Sequence, residues 1–549
     1  MRRSASEDAA RPHTRIAQQA APAMMRTMNP IQLSIFSNRL AGICDEMGAL
    51  LRRSAFSPNI KDRLDFSCAI FDADGALCAQ AAHIPVHLGS MAYAMADLVA
   101  GREWGAGDVL VVNDPYLGGT HLPDITLVAP LFVPGGKSPE AFAVTRAHHA
   151  NIGAEAPGSM PVSRCLGEEG LVIPPGWLMR AGRWQTALAR KLAGWPEEGE
   201  TLPLNSTRFA DFIAQASACR AGVARLAELV NAAGVGWFRD GVVALNGYGE
   251  RLTRQLLAGM PDGEYRFSDC MDDDGQGQQD ILIQVCLRIA GEQAEVDFAG
   301  TAEQVSGNIN CPLSVAAAAV YYCFRCLMPA DVPACAGLFR PIRLSAPEGS
   351  LVNARPPGAV AAGNVETSSR LVDVVLGALA QVVPEQIPAA SQGTMNNLAM
   401  GQAGARGWDY YETMAGGMGA HAGGPGLSGV QTHMTNTLNT PIESLERHYP
   451  LRVLRYRLRS GSGGAGRHPG GEGLERELEF LSPASLTLLT ERRRRGPWGL
   501  AGGDDGQPGG QWLNGRPLAP KSTAEARAGD RLLLVSPGGG GFGRDSGMQ

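Results

Sequence analysis

Val109-Leu110-Val111-Val112, then Asn113-Asp114-Pro115-Tyr116-Leu117-Gly118-Gly119-Thr120-His121-Leu122-Pro123-Asp124, then Ile125-Thr126-Leu127-Val128: this stretch decides how the first part of the chain is read. Two short apolar runs flank a polar tip, the pattern of buried strands entering and leaving a turn. Asn-Asp-Pro stops the first strand, and Gly118-Gly119 lets the backbone bend where a Cβ would clash. His121 and Asp124 follow, an imidazole and a carboxylate three positions apart at the end of a sheet. Taken alone, the segment reads equally well as a surface hairpin with incidental polar residues.

Working outward, the neighbouring segments repeat the arrangement. Apolar residues at helical spacing from Ile31 to Arg53 predict one amphipathic helix, ended by Ser57-Pro58-Asn59. Asp62 and Asp65 precede a strand over Phe66–Phe71, which turns at Asp72-Ala73-Asp74-Gly75. His83 to Ser90 opens a helix running through Leu98. Downstream, the strand Phe142 to Thr145 runs into Arg146-Ala147-His148-His149, and a glycine-relaxed turn follows at Gly153. One region thus offers Asp62, Asp65, His83, His87, His121, Asp124, His148 and His149, with five of the chain's 10 histidines. Histidines and carboxylates at strand ends suit a divalent cation, and the mixed nitrogen and oxygen set favours Zn, Mn or Fe over Ca or Mg. At least two of these histidines are expected to pack in the core or to support ligands.

A chain of 549 residues is too long for one core. The expected fold is α+β (mixed α/β) and multi-domain, with a disordered extension at 1–27 and a metal-binding domain at 28–200. A central substrate domain of helices and mixed sheet at 201–450 and a glycine-rich β region at 451–549 complete it. Net charge is −6, which suggests no nucleic-acid partner. The 11 scattered cysteines point to reduced thiols in a cytoplasmic setting. Cys323 and Cys326 lie in the apolar run Ala316 to Met328, where packing is a better account than zinc binding. No apolar run approaches the roughly 20 residues of a membrane span. Arg2-Arg3 lacks the apolar segment an export signal needs.

Later in the chain, helices are predicted over 212–233 and 238–257. Alternation through Ile281–Ile289 and Ala294–Phe298 predicts exposed antiparallel strands. A further helix starts at Gly363 and runs through Leu379, with Glu366 near its N-terminus, where a carboxylate is favoured. Ser391 to Asn397, Tyr410 to Thr413, His433, Asn436, Thr440 and Glu443 form a second polar cluster able to orient a small polar substrate. Beyond Tyr449 glycines punctuate strands, and Arg492 to Arg495 reads as a solvated face or subunit contact.

Taken in order, several of these motifs resemble the hydantoinase B / 5-oxoprolinase family, which includes subunits of acetone and acetophenone carboxylases. They are Ser57 to Cys68, His83 to Ser90, Asn113 to Asp124, the His148 segment, Tyr411-Glu412, Asn436 to Glu443 and Pro537 to Gly541; the resemblance runs from Pro30 to Gly543. It implies a metal-bearing subunit in a hetero-oligomer with an actin-like, ATP-binding hydantoinase A subunit. By position, Asp62, His121, Asp124 and His148 match the family's metal ligands, with Asp62 standing where Glu is common. Asn151, Ala154 and Cys335 replace a usual Asp, Gly and Asn. The implied reaction is ATP-dependent opening of a cyclic amide such as a hydantoin, 5-oxoproline or a lactam. Glu412 would be the acid/base, and Asn308, Asn310, Asn396 and His433 would contact the substrate. ATP is assigned to the partner: Gly136-Lys137-Ser138 nears a phosphate-binding loop, but Leu131 takes the place of its first glycine. Two other readings are ATP-dependent carboxylation of a ketone and a non-catalytic scaffold for the ATPase partner; histidines at strand ends disfavour the second.

Overall fold

The computed structural model describes residues 28–544 apart from 83, 196–198, 200 and 403–406. The extension expected at 1–27 and His83 lie outside the described residues. Helix α1 (Pro30–Ser54) begins with reciprocal hydrogen bonds between Asn29 and Gln32, which satisfy donors a helix start leaves open. A single turn, α2 (Pro58–Lys61), leads into a seven-stranded sheet. Its strands are β1 (Phe66–Asp72), β2 (Leu77–Ala82), β3 (Val109–Val112), β4 (Asp124–Leu131), β5 (Ala141–His148), β6 (Gly176–Arg180) and β7 (Arg183–Trp184). The spatial order is β2-β1-β5-β4-β3-β6-β7, antiparallel throughout.

The central strands of this sheet read as continuous apolar runs because both faces are covered. On one face α3 (Pro85–Val99) brings Met91, Met95 and Leu98 against Leu110, Val128 and Val144. After a short α4 (Thr186–Leu192), α5 (Thr207–Ala233) and α6 (Val235–Ala258) follow. With α1, they cover the other face, where Leu40, Met47 and Leu226 meet Phe66, Ile70 and Ala143. Burying a Leu or Met side chain stabilises by roughly 1.5–3 kcal/mol. These two layers hold β4 and β5 in the register that pairs Asp124 with His148.

A four-stranded sheet comprises β8 (Gly263–Asp273), β9 (Gln279–Ala290), β10 (Gln293–Asp297) and β11 (Ile342–Ser345), with β11 parallel to β10. The alternation read as exposed strands has one buried face: Ile281, Ile283, Val285 and Leu287 pack into a core with α7 (Leu313–Cys326) and α8 (Ser368–Leu379). Helix α7 also meets α3 so closely that a Cβ at Gly89 would collide with the Ala318 backbone. Cys323 is buried against α8, its thiol 3.8 Å from Val372 O, and Cys326 is exposed, both as free thiols. The helix expected from Gly363 begins as a π-turn, Gly363–Thr367, before α8.

Two further sheets share a core. One holds β12 (Asn397–Gln402), β13 (Trp408–Glu412), β16 (Ala484–Leu489) and β19 (Lys521–Ala526). The other holds β14 (Leu451–Arg459), β15 (Gly473–Phe480), β17 (Gly510–Leu513), β18 (Arg516–Pro517) and β20 (Arg531–Val535), with α9 (Ile442–His448) beside β14. Between them lie Leu398, Tyr410, Leu478, Phe480, Leu486 and Leu532. The late glycines do more than turn the chain. Gly539 packs against the backbone at Met418, where any Cβ would collide with its carbonyl oxygen. Its neighbours Gly540 and Gly541 donate to Ala390 O and Asp504 O at 2.8 Å.

The arginine run departs from a solvated face. Arg492 is buried, its guanidinium 2.8 Å from Asp269 and 2.5 Å from Asp373, and Arg493 bonds Gln511 and Asn396. Only Arg494 and Arg495 reach outward, both toward Asp280. Carboxylates on β8 and α8 draw the first arginine inside, because a buried carboxylate without a cation is costly.

Candidate metal centre

The register that pairs Asp124 with His148 puts an imidazole and a carboxylate side by side at the ends of β4 and β5. His121 comes from the turn before β4. That turn is braced by Asn113, whose side-chain amide donates to Leu122 O at 2.8 Å and accepts from Ile173 N at 2.7 Å. Gly118 takes φ 106° there, and a Cβ on Gly119 would strike the Asn113 carbonyl, so the tip needs both glycines.

One ligand atom each from His121, Asp124 and His148 lies within 4.8 Å of the others, and all three residues are buried. The facing atoms, His121 Nε2, Asp124 Oδ1 and His148 Nε2, have no hydrogen-bond partner. His121 Nε2 stands 3.3 Å from Asp124 Oδ1, without the alignment of a hydrogen bond. A buried polar atom left unpaired costs about 1–3 kcal/mol. Three that point at one another could hold a metal ion, and two nitrogens with one oxygen suit Zn, Mn or Fe.

The other atoms of these side chains are held from outside. Asp124 Oδ2 accepts from Thr120 Oγ1 at 2.5 Å and from Asn364 Nδ2 at 3.3 Å, and His87 Nε2 lies 3.3 Å away. His121 Nδ1 meets Ala361 O at 3.2 Å, which selects the tautomer with the Nε2 lone pair facing inward. The Asn59 amide lies 3.1 Å from His148 Nδ1. A cation on His148 Nε2 requires the ring proton on Nδ1, and the amide would then turn its oxygen to accept it. The Tyr411 ring stacks on His148, 2° from parallel at 4.9 Å, and the Arg63 guanidinium lies 4.7 Å from that ring's centre.

The charges follow this geometry. Burial opposes the Asp124 carboxylate, yet His121 and His87 overcome it and hold the group well below the usual carboxylate range. Burial, reinforced by the charge of His121, drives His148 well below the ordinary imidazole value, so it stays neutral and ready to ligate. For His121, burial is outweighed by Asp124, and the result is raised.

The structure does not gather all the residues expected to work together. Asp62 is half-buried at the end of α2 and acts on Tyr449, whereas the buried Asp65 lies within electrostatic reach of Asp124, His87 and His121. His149 turns away, its ring tilted against Phe212 and bonded to Gln215 at 2.8 Å. Glu412 faces the opposite side of β13 from Tyr411. There Arg476, Tyr410 and Thr440 N occupy its carboxylate, and despite burial Arg476 keeps its pKa low. Asn310 bonds the backbone at Val305, Gly307 and Ala359, and Asn396 is filled by Gln392, Met414 and Arg493. Asn308 donates to Pro161 O and keeps a bare Oδ1, and His433 lines a separate cavity.

Two carboxyls come forward instead. Glu366, in the π-turn, is fully buried; its Oε1 accepts from Met395 N at 3.0 Å and Asn397 Nδ2 at 2.7 Å, and its Oε2 has no partner. Asn397 in turn accepts from the Tyr411 hydroxyl at 2.6 Å, which ties Glu366 to the ring stacked on His148. Burial pushes Glu366 up to about 7. Glu169, also raised to about 7 by burial, accepts from Val360 N and Ala361 N just behind His121. Position near a helix start marked Glu366 in the sequence, but a π-turn leaves no periodic trace, although such turns recur at functional sites. Glu169 carried no signal beyond its glycine-flanked turn.

A mixed α+β fold of several sheets, with a buried His/Asp/His group on paired strand ends, defines the class: a protein built around a candidate metal centre. The chain belongs to the hydantoinase B/oxoprolinase family, whose profile matches residues 29–545. It is 39% identical over 539 residues to 5-oxoprolinase 1 of Arabidopsis thaliana, covering 93% of this chain but 42% of the plant protein. It is 30% identical over 546 residues to the B-type subunit of a putative D-/L-hydantoinase from Pseudomonas sp. strain NS671, covering 94% of this chain and 90% of that one. The crystal structure of an ATP-dependent caprolactamase from Pseudomonas jessenii superposes with a TM-score of 0.86 at 28% identity, over 94% of this chain and 92% of the other. The chain thus spans less than half the length of the plant 5-oxoprolinase it matches. No helix among the described residues is long and apolar enough to cross a membrane.

Proposed function

We propose that this chain is the metal-bearing subunit of an ATP-dependent hydrolase that opens cyclic amides, of the hydantoin, 5-oxoproline or lactam kind. A hydantoinase A-like chain would bind the ATP. The observation that carries the reading is the convergence of three buried, unpartnered atoms from His121, Asp124 and His148. The Pseudomonas relative of nearly equal length, named as one subunit of a hydantoinase, supports the division of labour. The caprolactamase likeness supports an amide substrate.

A divalent ion held by these three residues would supply Lewis acidity and bring a water's pKa toward neutrality. The chain's own groups do the rest. Ring opening adds water across the amide C–N bond, so one proton must leave the water and one must reach the departing nitrogen. Glu366, with its pKa raised to about 7 and one bare oxygen, can take and return that proton at neutral pH. Glu412 would instead hold β13 in place from the far side. Thr120, His87 and Asn364 keep Asp124 Oδ1 turned inward.

The test is reconstitution with an ATP-binding partner chain and a lactam, following ring opening and ATP consumption together. Wild type should open the ring, and Glu366→Gln should lose most turnover while retaining its metal. Labelled bicarbonate appearing in a product formed from a ketone would replace hydrolysis by carboxylation. Unchanged turnover in both His121→Ala and Asp124→Ala would leave this chain a scaffold.

A further inference from the structure

A cavity of about 260 Å³ lies between the C-terminal end of α7, helix α8 and the loops at 386–391 and 418–433. None of its lining residues belongs to the metal centre, and none is Lys, Arg, Asp or Glu. Tyr322, Leu376, Ile387 and Met418 give it an apolar wall. Gln386, Thr432 and His433 add polar groups, and two more, Gln431 and Ser391, are oriented by hydrogen bonds. The Gln431 amide nitrogen donates to Thr413 Oγ1 at 3.3 Å, which leaves Gln431 Oε1 as a buried acceptor without a donor. Ser391 Oγ accepts from Gly419 N at 3.2 Å, so its own proton is available to a carbonyl.

His433 lines the same cavity in a left-handed conformation, φ 55°, that a residue with a Cβ rarely adopts. Its side chain is 9% exposed, and Nε2 stands 3.8 Å from Asp373 Oδ1, neither atom having a hydrogen-bond partner. Arg492 holds the other Asp373 oxygen at 2.5 Å, so that guanidinium is turned away from the cavity's contents. Burial pushes His433 below the ordinary imidazole value, and Asp373 only partly opposes this, so the ring is neutral.

A wall with hydroxyls and a buried acceptor but no lysine or arginine gives an anion no counter-charge and suits an uncharged N–H compound with an apolar body. We propose that this cavity is a binding site for a compact neutral cyclic amide, distinct from the metal centre. The ring packs on Leu376, Ile387, Met418 and Tyr322, the amide N–H donates to Gln431 Oε1, and the carbonyl accepts from Ser391. The inference rests on the cyclic-amide reading above and adds to it a place where the substrate is held before it carries charge. Side-chain contacts link the cavity to the centre: Thr413 Oγ1, which receives Gln431, also receives Arg63, whose guanidinium overlies the Tyr411 ring stacked on His148.

The test is calorimetric titration of the full chain with 2-piperidone as the probe. Wild type, chelator-treated wild type and His121→Ala should bind alike. Gln431→Leu, nearly the same shape without the acceptor, should weaken binding about tenfold or more, the scale expected when a buried N–H loses its partner. Its metal content will report that it has folded. The ring-opened, charged 5-aminopentanoate should not bind. Absence of piperidone binding at millimolar concentration, or binding that ignores Gln431→Leu and disappears with His121→Ala, would overturn the proposal. The same preparations assayed with ATP and the partner chain separate the two ideas. Ring opening without cavity binding sinks this inference alone, whereas absence of ring opening beside intact cavity binding sinks the hydrolase reading and leaves the site.

Discussion

Two buried polar clusters sit on opposite faces of β13, and their contrast shows where chemistry can happen. On one face, Glu412, Arg476 and Tyr410 bond one another, and Thr440 N fills the remaining carboxylate oxygen. On the other, Tyr411 stacks on His148, and the His121, Asp124 and His148 atoms that face each other have no hydrogen-bond partner, although His121 and Asp124 lie within ion-pair distance. Both clusters are costly to bury. The first recovers that cost within the protein, and the second leaves three atoms without a hydrogen bond that a cation could satisfy. Charge and burial alone do not separate a structural ion pair from a site; the missing partners do.

The contrast can be broken or sharpened by substitution. The largest effect should come from the unsatisfied side. Asp124→Ala or His148→Ala should lower ring-opening turnover by about a thousandfold or more, since Lewis-acid stabilisation is worth several kcal/mol. Full turnover in either would erase the distinction. On the satisfied side, Glu412→Leu strands the buried Arg476 cation and should cost about 3–5 kcal/mol of stability. Denaturant unfolding measures this, and metal content should not change; a variant as stable as wild type would show that the pair holds nothing together.

Glu366 lies between the two kinds. Its pKa rises from 4.5 to about 7 because burial disfavours the charge. The protonated form therefore contributes stability that is fully present below pH 4.5 and lost as pH rises through about 7. Gln is neutral throughout, so Glu366→Gln should gain on wild type by up to about 3 kcal/mol between those two values and level off above them. Unfolding midpoints across the range check it, and a gap that stays flat with pH would mean Glu366 is ionised at no cost. The smallest effects belong to the residues around the centre. Thr120→Val and Asp65→Asn should each weaken metal binding about 10–100-fold, read by competition with a chelator. Asp62→Asn should change it by less than about tenfold; the reverse order would return Asp62 to the ligand set.

Much of the centre was legible because its signals are local. Apolar runs, a glycine-hinged tip and histidines at strand ends put His121, Asp124 and His148 among eight candidates without knowledge of the rest of the fold, and the family resemblance narrowed the eight to these three with Asp62. What was not legible depends on direction. Asp62 and Asp65 differ by three positions, and only the turn after α2 shows that the second faces the centre. Tyr411 and Glu412 are adjacent, and strand alternation sends one toward His148 and the other toward Arg476. Arg492 looked like a surface arginine because its carboxylate partners, Asp269 and Asp373, are more than a hundred residues away in sequence. The late glycines hid a different cause again: they admit backbone against backbone, a contact no residue pattern announces.

Metal analysis of the purified chain, wild type beside Asp124→Ala, tests the central claim most directly. About one tightly held divalent ion per wild-type chain is expected, with almost none in the variant and the same folded spectrum for both. Equal metal in the two proteins, or none in a wild type offered Zn, Mn and Fe, would contradict it.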